Sequence, residues 1–552
     1  MNARQLFTAS CIALITSAFS FMIRQNITDP LAIDFNLTKE AVGEVMGAAF
    51  LGMAISMLVM APLCDALGMG RVLCLAWICH LVGILGTIFA GDISAVPWID
   101  STIKSIIQSF PADWKLNDNS AYWILWLSTF LVGCGNGQVE IVINPLAATL
   151  YPDEKTHYLN ILHAWWPGGL IIAGLLATFG IDPYISDLHA WVFGQQPGAK
   201  VMSVVSFGWK VKMGTLLVPL LLYGLLSVGQ SFPKTERVQA NVSTGTMFLQ
   251  ALRPMFLLWA FCMLLTASSE LGPNQWQESV LKRTANVSGT LVFVYTSGLM
   301  FVMRFFAGPL AHKLSPVGML TVSSILTGIG LYWLSYVDNA VMAFVAATVF
   351  GIGIAYFWPT MLGVTAERFP KGGALLLGLI GCVGNLAIWQ AMPLMGGIYD
   401  SYTVINLPAE MQKESIKIDG KDLPIVKDGK KSFLPEVITS HIYPADPRKP
   451  NPEVFGPVMS ARDHIRDMDR KKAAGKTLTQ QEVNSYKAST DFLNAVGLAK
   501  AQTIEKAEAQ GAAWAFRWVT VLPAILVVIF GLIALVDAMR GGYKAVKIVD
   551  GH

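Results

Sequence analysis

Two charged residues stand where charge is expensive. Glu140 lies within Gly133-Cys134-Gly135-Asn136-Gly137-Gln138-Val139-Glu140-Ile141-Val142-Ile143-Asn144-Pro145, and Arg24 within Met22-Ile23-Arg24-Gln25-Asn26, both embedded in long apolar runs. If the first run is a membrane helix, Glu140 sits about nine residues, or about 14 Å at 1.5 Å per residue, from its end. A carboxyl near mid-bilayer is kept either for function or for a bond inside the bundle. Its chemistry there is proton carriage or substrate binding. The arginine fork binds carboxylates through paired N–H bonds. Arg24 can therefore hold an acidic solute, or neutralise Glu140 when no solute is bound; the plainer alternative is that it snorkels to the interface.

Polar and aromatic residues recur in the other apolar runs. Gln25 follows Arg24, and Asn144 lies four residues after Glu140. His163, Trp165 and Trp166 precede Pro167-Gly168-Gly169. Glu270, Asn274, Trp276 and Gln277 surround Gly272-Pro273, which predicts a helix break. Tyr356, Trp358 and Thr360 flank Pro359, and Asn385, Trp389 and Gln390 share a further run. Indole rings cover the C–H faces of a sugar and amides bond its hydroxyls, so this mixture suits a small polar solute. Taken singly, any of these tryptophans also serves as ordinary packing.

These residues need helices that cross a bilayer. The chain has 552 residues, 53% hydrophobic and 14% charged, where a soluble protein carries about 25% charged. Its mean hydropathy is +0.50. A helix needs about 20 apolar residues to cross the hydrocarbon. The runs predict spans near 6–32, 42–63, 71–91, 121–149, 160–180 and 209–230. After a polar linker come 254–273, 288–309, 317–336, 340–366, 372–396 and 513–539. The first run continues past any small-residue cleavage site, so it is read as a span rather than a signal peptide. The net charge of +3 is too small to suggest nucleic acid. All seven cysteines lie in apolar runs, which implies no disulfide framework. No Walker A segment, zinc-protease helix or nucleophile motif is present, and no cofactor, metal site or enzymatic activity is expected.

Short-loop Lys and Arg set the orientation. Arg4, Arg71, Lys155, Lys234, Arg237, Lys313, Arg368, Lys371, Arg540 and Lys544 fall on one side, predicting that both termini and the linker are cytoplasmic. The segments 91–120, 181–207 and 400–511 then lie outside. The last is Lys-rich; Pro444, Pro447, Pro450, Pro452 and Pro457 predict an extended portion, and 477–510 reads as helical. It is expected to be a small folded unit or a flexible cover.

The two halves repeat. Ala61-Pro62-Leu63-Cys64-Asp65-Ala66-Leu67 after the second span matches Gly308-Pro309-Leu310-Ala311-His312-Lys313-Leu314 after the eighth. Gly133-x-Gly135 followed by Tyr151-Pro152 matches Gly351-x-Gly353 followed by Phe369-Pro370. In the first turn, Asp65, Gly68 and Arg71 can form a charge latch around a tight turn. Arg304 near the end of the eighth span, with Glu367 at the end of the tenth, is a candidate gate. Asp65-x-x-Gly68-x-x-Arg71 resembles the loop signature of the major facilitator superfamily, in which parallel six-helix halves enclose a site near the midplane; in the second copy His312 replaces the acid and Ser315 the glycine.

The Glu140-x-x-x-Asn144-Pro145 segment is similar to the fucose/galactose/glucose–H+ symporter family, where the glutamate takes part in substrate binding or proton coupling. That family has an aspartate in its first helix at the position of Gln25. A cation in the first helix with a glutamate in the fourth also resembles the anion:cation symporters, which carry sugar acids and organic anions.

The expected fold is an all-α membrane protein, about 12 transmembrane helices in two six-helix halves. The expected organisation is residues 1–230 (first half), 231–253 (linker), 254–399 (helices 7–11), 400–511 (extracytoplasmic insert) and 512–552 (helix 12 and tail). The expected function is secondary active transport of a small polar solute, a sugar or sugar derivative, by alternating access with proton or sodium coupling, in a monomer in the cytoplasmic membrane. Its partners would be the substrate, the coupling ion and the lipid bilayer. An organic or sugar acid is the alternative cargo, and a non-transporting sensor with the same fold is the alternative class.

Overall fold

A computed structural model describes residues 2–110, 117–151, 155–193, 201–233, 249–304, 310, 313–369, 373–418, 420–428, 446, 448–475 and 477–544. Twelve long helical elements form the bundle. In the first half these are α1 (Ala3–Asp34), α2 (Lys39–Leu67), α3 (Met69–Ile88), α4 (Ser120–Leu150), α5 (Lys155–Leu175) and α6 (Val201–Gly214 and Leu217–Ser227). In the second they are α7 (Pro254–Thr284), α8 (Gly289–Arg304), α9 (Pro316–Leu334), α10 (Ala340–Ile354 and Phe357–Arg368), α11 (Gly373–Ile405) and α12 (Leu498–Val519 and Val521–Met539). Ten described segments are long and apolar enough to cross a membrane, α8 is a shorter apolar helix, and α4 is 31 residues long.

The repeat is built into the packing. A Cβ on Gly133 of α4 would overlap the backbone of Ala49 in α2, and one on Gly135 would strike His80 of α3. In the second half, Gly351 of α10 lies against Thr296 and Leu299 of α8, and Gly353 against Thr327 of α9. The matched glycine pairs thus serve matched helix contacts. The matched turns also agree: Gly68 has φ +86° and ψ 142°, Ser315 φ +62° and ψ 159°. Ser315 accepts this costly left-handed backbone while its hydroxyl caps the N–H of Gly318 at 3.2 Å.

The halves meet most closely at the end of the bundle opposite the termini, here the distal end. Asp400 of α11 accepts bonds from the backbone N–H groups of Lys39 and Glu40 at the start of α2, at 3.3 and 3.0 Å. Gly43 lies under the carbonyl of Met392, Gly47 under that of Trp389, and Gly396 under that of Lys39. The recorded α2–α11 contacts run on to Cys382–Ala54 and Gly381–Met57; beyond them α2 exposes Leu58, Val59 and Leu63.

Several expectations are corrected. Pro273 does not break α7, which runs unbroken through Thr284; membrane helices absorb proline where neighbouring helices support them. The break falls instead in α10 at Ala355-Tyr356, just before Pro359. α11 continues past the apolar run to Ile405, because Asp400, Ser401 and Thr403 are buried against other helices. Pro452 and Pro457 do not extend the chain: Pro452 opens a helix, Pro452–Ala473, and Pro457 lies in its second turn. Helix also continues past the predicted span end near 180: the described residues after α5 form a π turn at Leu176–Ile181 and a helix at Ile185–Phe193.

The region between α11 and α12 has its own core. Ile416, Ile418, Ile425, Val454, Phe455, Val458, Leu493 and Ile504 form a buried cluster. Two antiparallel ladders, β1 (Ser415–Ile418) with β2 (Lys421–Pro424) and β3 (Val426–Asp428) with β4 (Arg448–Pro450), pack with the helices Pro452–Ala473 and Gln480–Val496. Pro444 and Pro447 lie outside the described residues.

Gly133 and Gly43 give separable expectations. Gly133→Ala forces two helices of one half apart and lowers the melting temperature in detergent. Gly43→Ala clashes only across the distal seam, so it leaves folding intact and increases labelling of distal-end cysteines introduced at Ile398 or Val45. Equal loss of melting temperature in both variants would refute the distinction.

Candidate functional site

Arg24 is buried in the bundle core, with 3% of its surface exposed. Its Nε donates to the Ser20 carbonyl at 2.9 Å, while Nη1 and Nη2 have no partner among the described residues. The guanidinium carbon lies 5.2 Å from the Phe21 ring centroid and 5.7 Å from that of Phe50. Trp166 meets the Phe21 ring edge-on at 4.9 Å. The side chain therefore does not snorkel. It is held by aromatic faces, which repay part of the desolvation of a cation.

Gln25, fully buried, accepts through Oε1 from Thr290 at 3.1 Å; its Nε2 has no protein partner. Across from α1, α7 brings a row of similar groups. Glu270 is buried with one free oxygen, Asn274 with a free Oδ1, Trp276 with a free Nε1, and Gln277 with both amide atoms free. Neighbouring Gln275 ties the row to α1 by donating to the Phe21 carbonyl at 3.2 Å. Orphaned buried polar atoms are rare and each needs an explanation. Among the described residues others lie singly elsewhere, as at Gln138 and Thr327, but the densest group is on α1 and α7, one helix from each half.

Glu140 is placed differently. It is half-buried and accepts from Asn144 Nδ2 at 3.3 Å, and Asn144 Oδ1 meets His163 Nε2 at 2.8 Å. The structure thus joins Glu140, Asn144 and His163 in one line across α4 and α5. It does not join Glu140 to Arg24, whose terminal nitrogens bond to no protein group. The two or so helical turns between Gly133 and Glu140 fix depth, but not the direction each side chain faces.

The remaining candidates scatter. Trp358 lies over Gly384 beside Met263, so it packs between α10, α11 and α7. Asn385 is buried, but its amide is used on the Gly381 carbonyl at 2.9 Å. Gln390 is half-buried on α11. Arg304 does not pair with Glu367. Its Nε reaches the Ala355 carbonyl at 3.5 Å and its carboxylate neighbour is Glu270, while Glu367 accepts from Tyr543 at 2.5 Å. Arg71 reaches the Leu67 carbonyl at 3.4 Å; the side chain of Asp65 lies outside the described residues, as do Gly308, Pro309 and His312.

Sequence reasoning missed two buried networks. In the first half, Tyr223 Oη meets His80 Nδ1 at 3.1 Å, His80 Nε2 meets Asn136 Oδ1 at 3.0 Å, and Asn136 donates to Ser20 at 3.1 Å. A histidine in the middle of an apolar run was the available signal. At the distal end, Lys39 pairs with Asp29 at 2.7 Å and lies 3.8 Å from Glu508. Arg283 contacts Asp463 at 2.8 Å, Glu508 at 3.4 Å and Asp29 at 3.7 Å, and Lys449 pairs with Glu40 at 2.7 Å. This network ties α1, α2, α7, α12 and the insert together. No spacing rule could reveal it, because its members lie up to several hundred residues apart.

Comparison with known proteins agrees with this architecture. The family model of the Major Facilitator Superfamily matches residues 6–391. The chain belongs to the Major Facilitator Superfamily. It is a multi-pass membrane transporter with that fold. NiaP of Bacillus subtilis (strain 168), provisionally named a niacin/nicotinamide transporter, is 20% identical over 389 residues, 67% of this chain and 82% of NiaP. A bacterial homolog of the human lysosomal transporter Spinster, solved inward-facing and unoccupied, superposes with TM-score 0.61 at 14% identity over 96% of each chain. The xylose transporter XylE from E. coli, inward open, gives TM-score 0.52 at 12% identity over 72% of this chain and 90% of XylE.

The distal network predicts a specific stability defect. Arg283→Gln leaves Asp29, Asp463 and Glu508 close together without their shared cation, at a cost of about 3–5 kcal/mol. Burial pushes the Asp463 carboxyl up, but Arg283 and Lys282 outweigh it and hold it below its usual value. Its contribution is therefore complete above about pH 4 and lost as pH falls through its depressed folded value. In Arg283→Gln that depression is reduced, with Lys282 left as the neighbouring cation, so the deficit in melting temperature shrinks on acidification. A deficit independent of pH would refute the account.

Proposed function

We propose that this transporter carries a small organic anion, a sugar acid or aromatic carboxylate, and couples its movement to protons. Arg24 carries the reading. A guanidinium with two unpartnered terminal nitrogens, 97% buried against Phe21 and Phe50, is complementary to a carboxylate. Leaving that charge unanswered in lipid surroundings is costly, and an anionic ligand answers it. The provisional name of NiaP includes a carboxylate among its cargoes, which fits the same chemistry.

Glu270 is the candidate proton carrier. It is buried in α7 with one unpartnered oxygen and Arg304 as its neighbouring cation. Glu140, half-buried and bonded to Asn144, is the less isolated carboxylate and is assigned to positioning within the Asn144–His163 line. A neutral sugar is the second reading, favoured by the free amides of Asn274 and Gln277 and the free indole N–H of Trp276. The excess of short-loop cations on the terminal side supports a cytoplasmic location for both termini.

Two measurements test this. In a thermal-shift screen of glucuronate, gluconate, nicotinate, glucose, fucose and nicotinamide, the carboxylates raise the melting temperature of wild type by mass action. Arg24→Ala abolishes the response and Arg24→Lys weakens it. Stabilisation by glucose or fucose alone, retained in Arg24→Ala, would replace the anion with a sugar. In proteoliposomes loaded with the stabilising solute, Glu270→Gln keeps exchange and loses accumulation driven by a proton gradient; intact accumulation would remove Glu270 from coupling.

A further inference from the structure

Lys212 has no part in the site as read from sequence, yet it begins a hydrogen-bond line that ends there. It lies in α6, 7% exposed, with Nζ 2.6 Å from Asp182 and 2.5 Å from Asn26 Oδ1. Asn26 Nδ2 donates to Thr290 Oγ1 of α8 at 2.7 Å. Thr290 donates in turn to Gln25 Oε1 at 3.1 Å. Asn26, Thr290 and Gln25 are each at least nine-tenths buried, so no bulk solvent competes for their bonds.

The line has a direction that chemistry imposes. An ammonium only donates, so the Asn26 side chain must turn its carbonyl to Lys212 and its NH2 to Thr290. The Thr290 hydroxyl then spends a lone pair on Asn26 and has one proton to give, with Gln25 Oε1 as its acceptor. Gln25 is thereby locked with its carbonyl occupied and its NH2 free, and Nε2 is the atom left without a partner. The adjacent residue, Arg24, is locked in the same sense: Nε is spent on Ser20, leaving Nη1 and Nη2.

We propose that Lys212, acting through Asn26 and Thr290, is a specificity-determining residue that fixes Gln25 as a donor beside Arg24, so that the site accepts a solute head carrying only acceptors and rejects one that carries an N–H donor. The proposal rests on the anion reading above. Lys212 touches no solute in this account; it is a positioning residue. Without its charge, Asn26 and then Gln25 can turn over and present a carbonyl, and the penalty against a donor-bearing head disappears. Because Thr290 sits on the second half and the other members on the first, the orientation of Gln25 also depends on the distal closure of the two halves.

The test compares acid with amide, which differ in the head group. Binding of nicotinate against nicotinamide, and of glucuronate against glucuronamide, is measured by titration calorimetry on the full-length protein in detergent. Wild type prefers the carboxylate. Lys212→Met reduces the ratio of carboxylate to carboxamide affinity about tenfold, which is about 1.4 kcal/mol of discrimination. Thr290→Val does the same from the other half, and Thr290→Ser, which keeps the hydroxyl, restores the ratio. A merely structural defect would weaken acid and amide in parallel and leave the ratio unchanged. A wild-type ratio retained in both Lys212→Met and Thr290→Val overturns the inference alone. Wild type that binds neither carboxylate overturns the anion reading and the inference with it.

Discussion

Asp400 gives its carboxylate to the first turn of a helix in the opposite half, and the distal seam depends on that bond. The first N–H groups of any helix lack partners within it. For α2 they would lie at the bundle end beside the seam, and Asp400 supplies acceptors for Lys39 and Glu40. The anion also meets the positive end of the helix dipole. With the turn fixed, Gly43, Gly47 and Gly396 let the two backbones touch. The seam is thus polar at its rim and glycine-lined within. The contacts inside each half differ: Gly133 on Ala49 and Gly353 on Thr327 are deep backbone approaches that carry no charge. A bundle whose halves must part is served by this division, since polar rim groups can be returned to water at the membrane surface while buried packing stays intact.

Arg24 sets the second constraint. Without water in the hydrocarbon, every polar group must find its partner inside the bundle. Most do: the Tyr223–His80–Asn136–Ser20 chain satisfies four helices with three bonds. The exceptions concentrate on α1 and α7, on Arg24, Gln25, Glu270, Asn274, Trp276 and Gln277. Unmatched groups also occur singly elsewhere, as at Gln138, Thr327 and Ser401, but among the described residues only α1 and α7 bring several together, including a guanidinium and a carboxyl. The rings of Phe21 and Phe50 explain how the guanidinium stays in the core without an anion of the protein's own.

The architecture was legible in the sequence because hydropathy and repetition are one-dimensional signals. Apolar runs of span length marked the helices, and the paired Gly-x-Gly and turn segments marked the duplication, down to a serine in the left-handed backbone that glycine occupies in the first copy. Burial was legible in part: Arg24, read as an intramembrane charge, is buried, while Glu140, read as the deep carboxyl, is half-buried. Azimuth was not. Arg24 and Glu140 were natural partners by charge and depth, but α1 turns its arginine toward Phe21 and Phe50, while Glu140 turns toward Asn144. Arg304 and Glu367 failed as a pair for the same reason. Proline misled in both directions, since Pro273 and Pro457 sit inside helices whose neighbours hold them.

The insert shows why a composition that reads as solvated can still be built into the bundle. Its charges are not all on its surface: Asp463 meets Arg283, a residue of α7 whose side chain is 2% exposed, and Glu508 of α12 meets the same guanidinium. Tyr399 of α11 donates to Glu508 at 3.2 Å, and Arg462 of the insert donates to Glu505 of α12 at 2.7 Å. These bonds stay within the second half. Toward the first half the insert offers Lys449 to Glu40 and Gly456 against Ile33, and α12 offers Glu508 to Lys39. The deeper bonds therefore fasten the insert to its own half, and the bonds across the seam lie at the rim with Asp400. If the halves part at this end, the insert travels with the second half, and Lys449–Glu40 and Lys39–Glu508 break together with the cap on α2. A segment whose sequence suggested a separate unit is, by its contacts, a part of the seam.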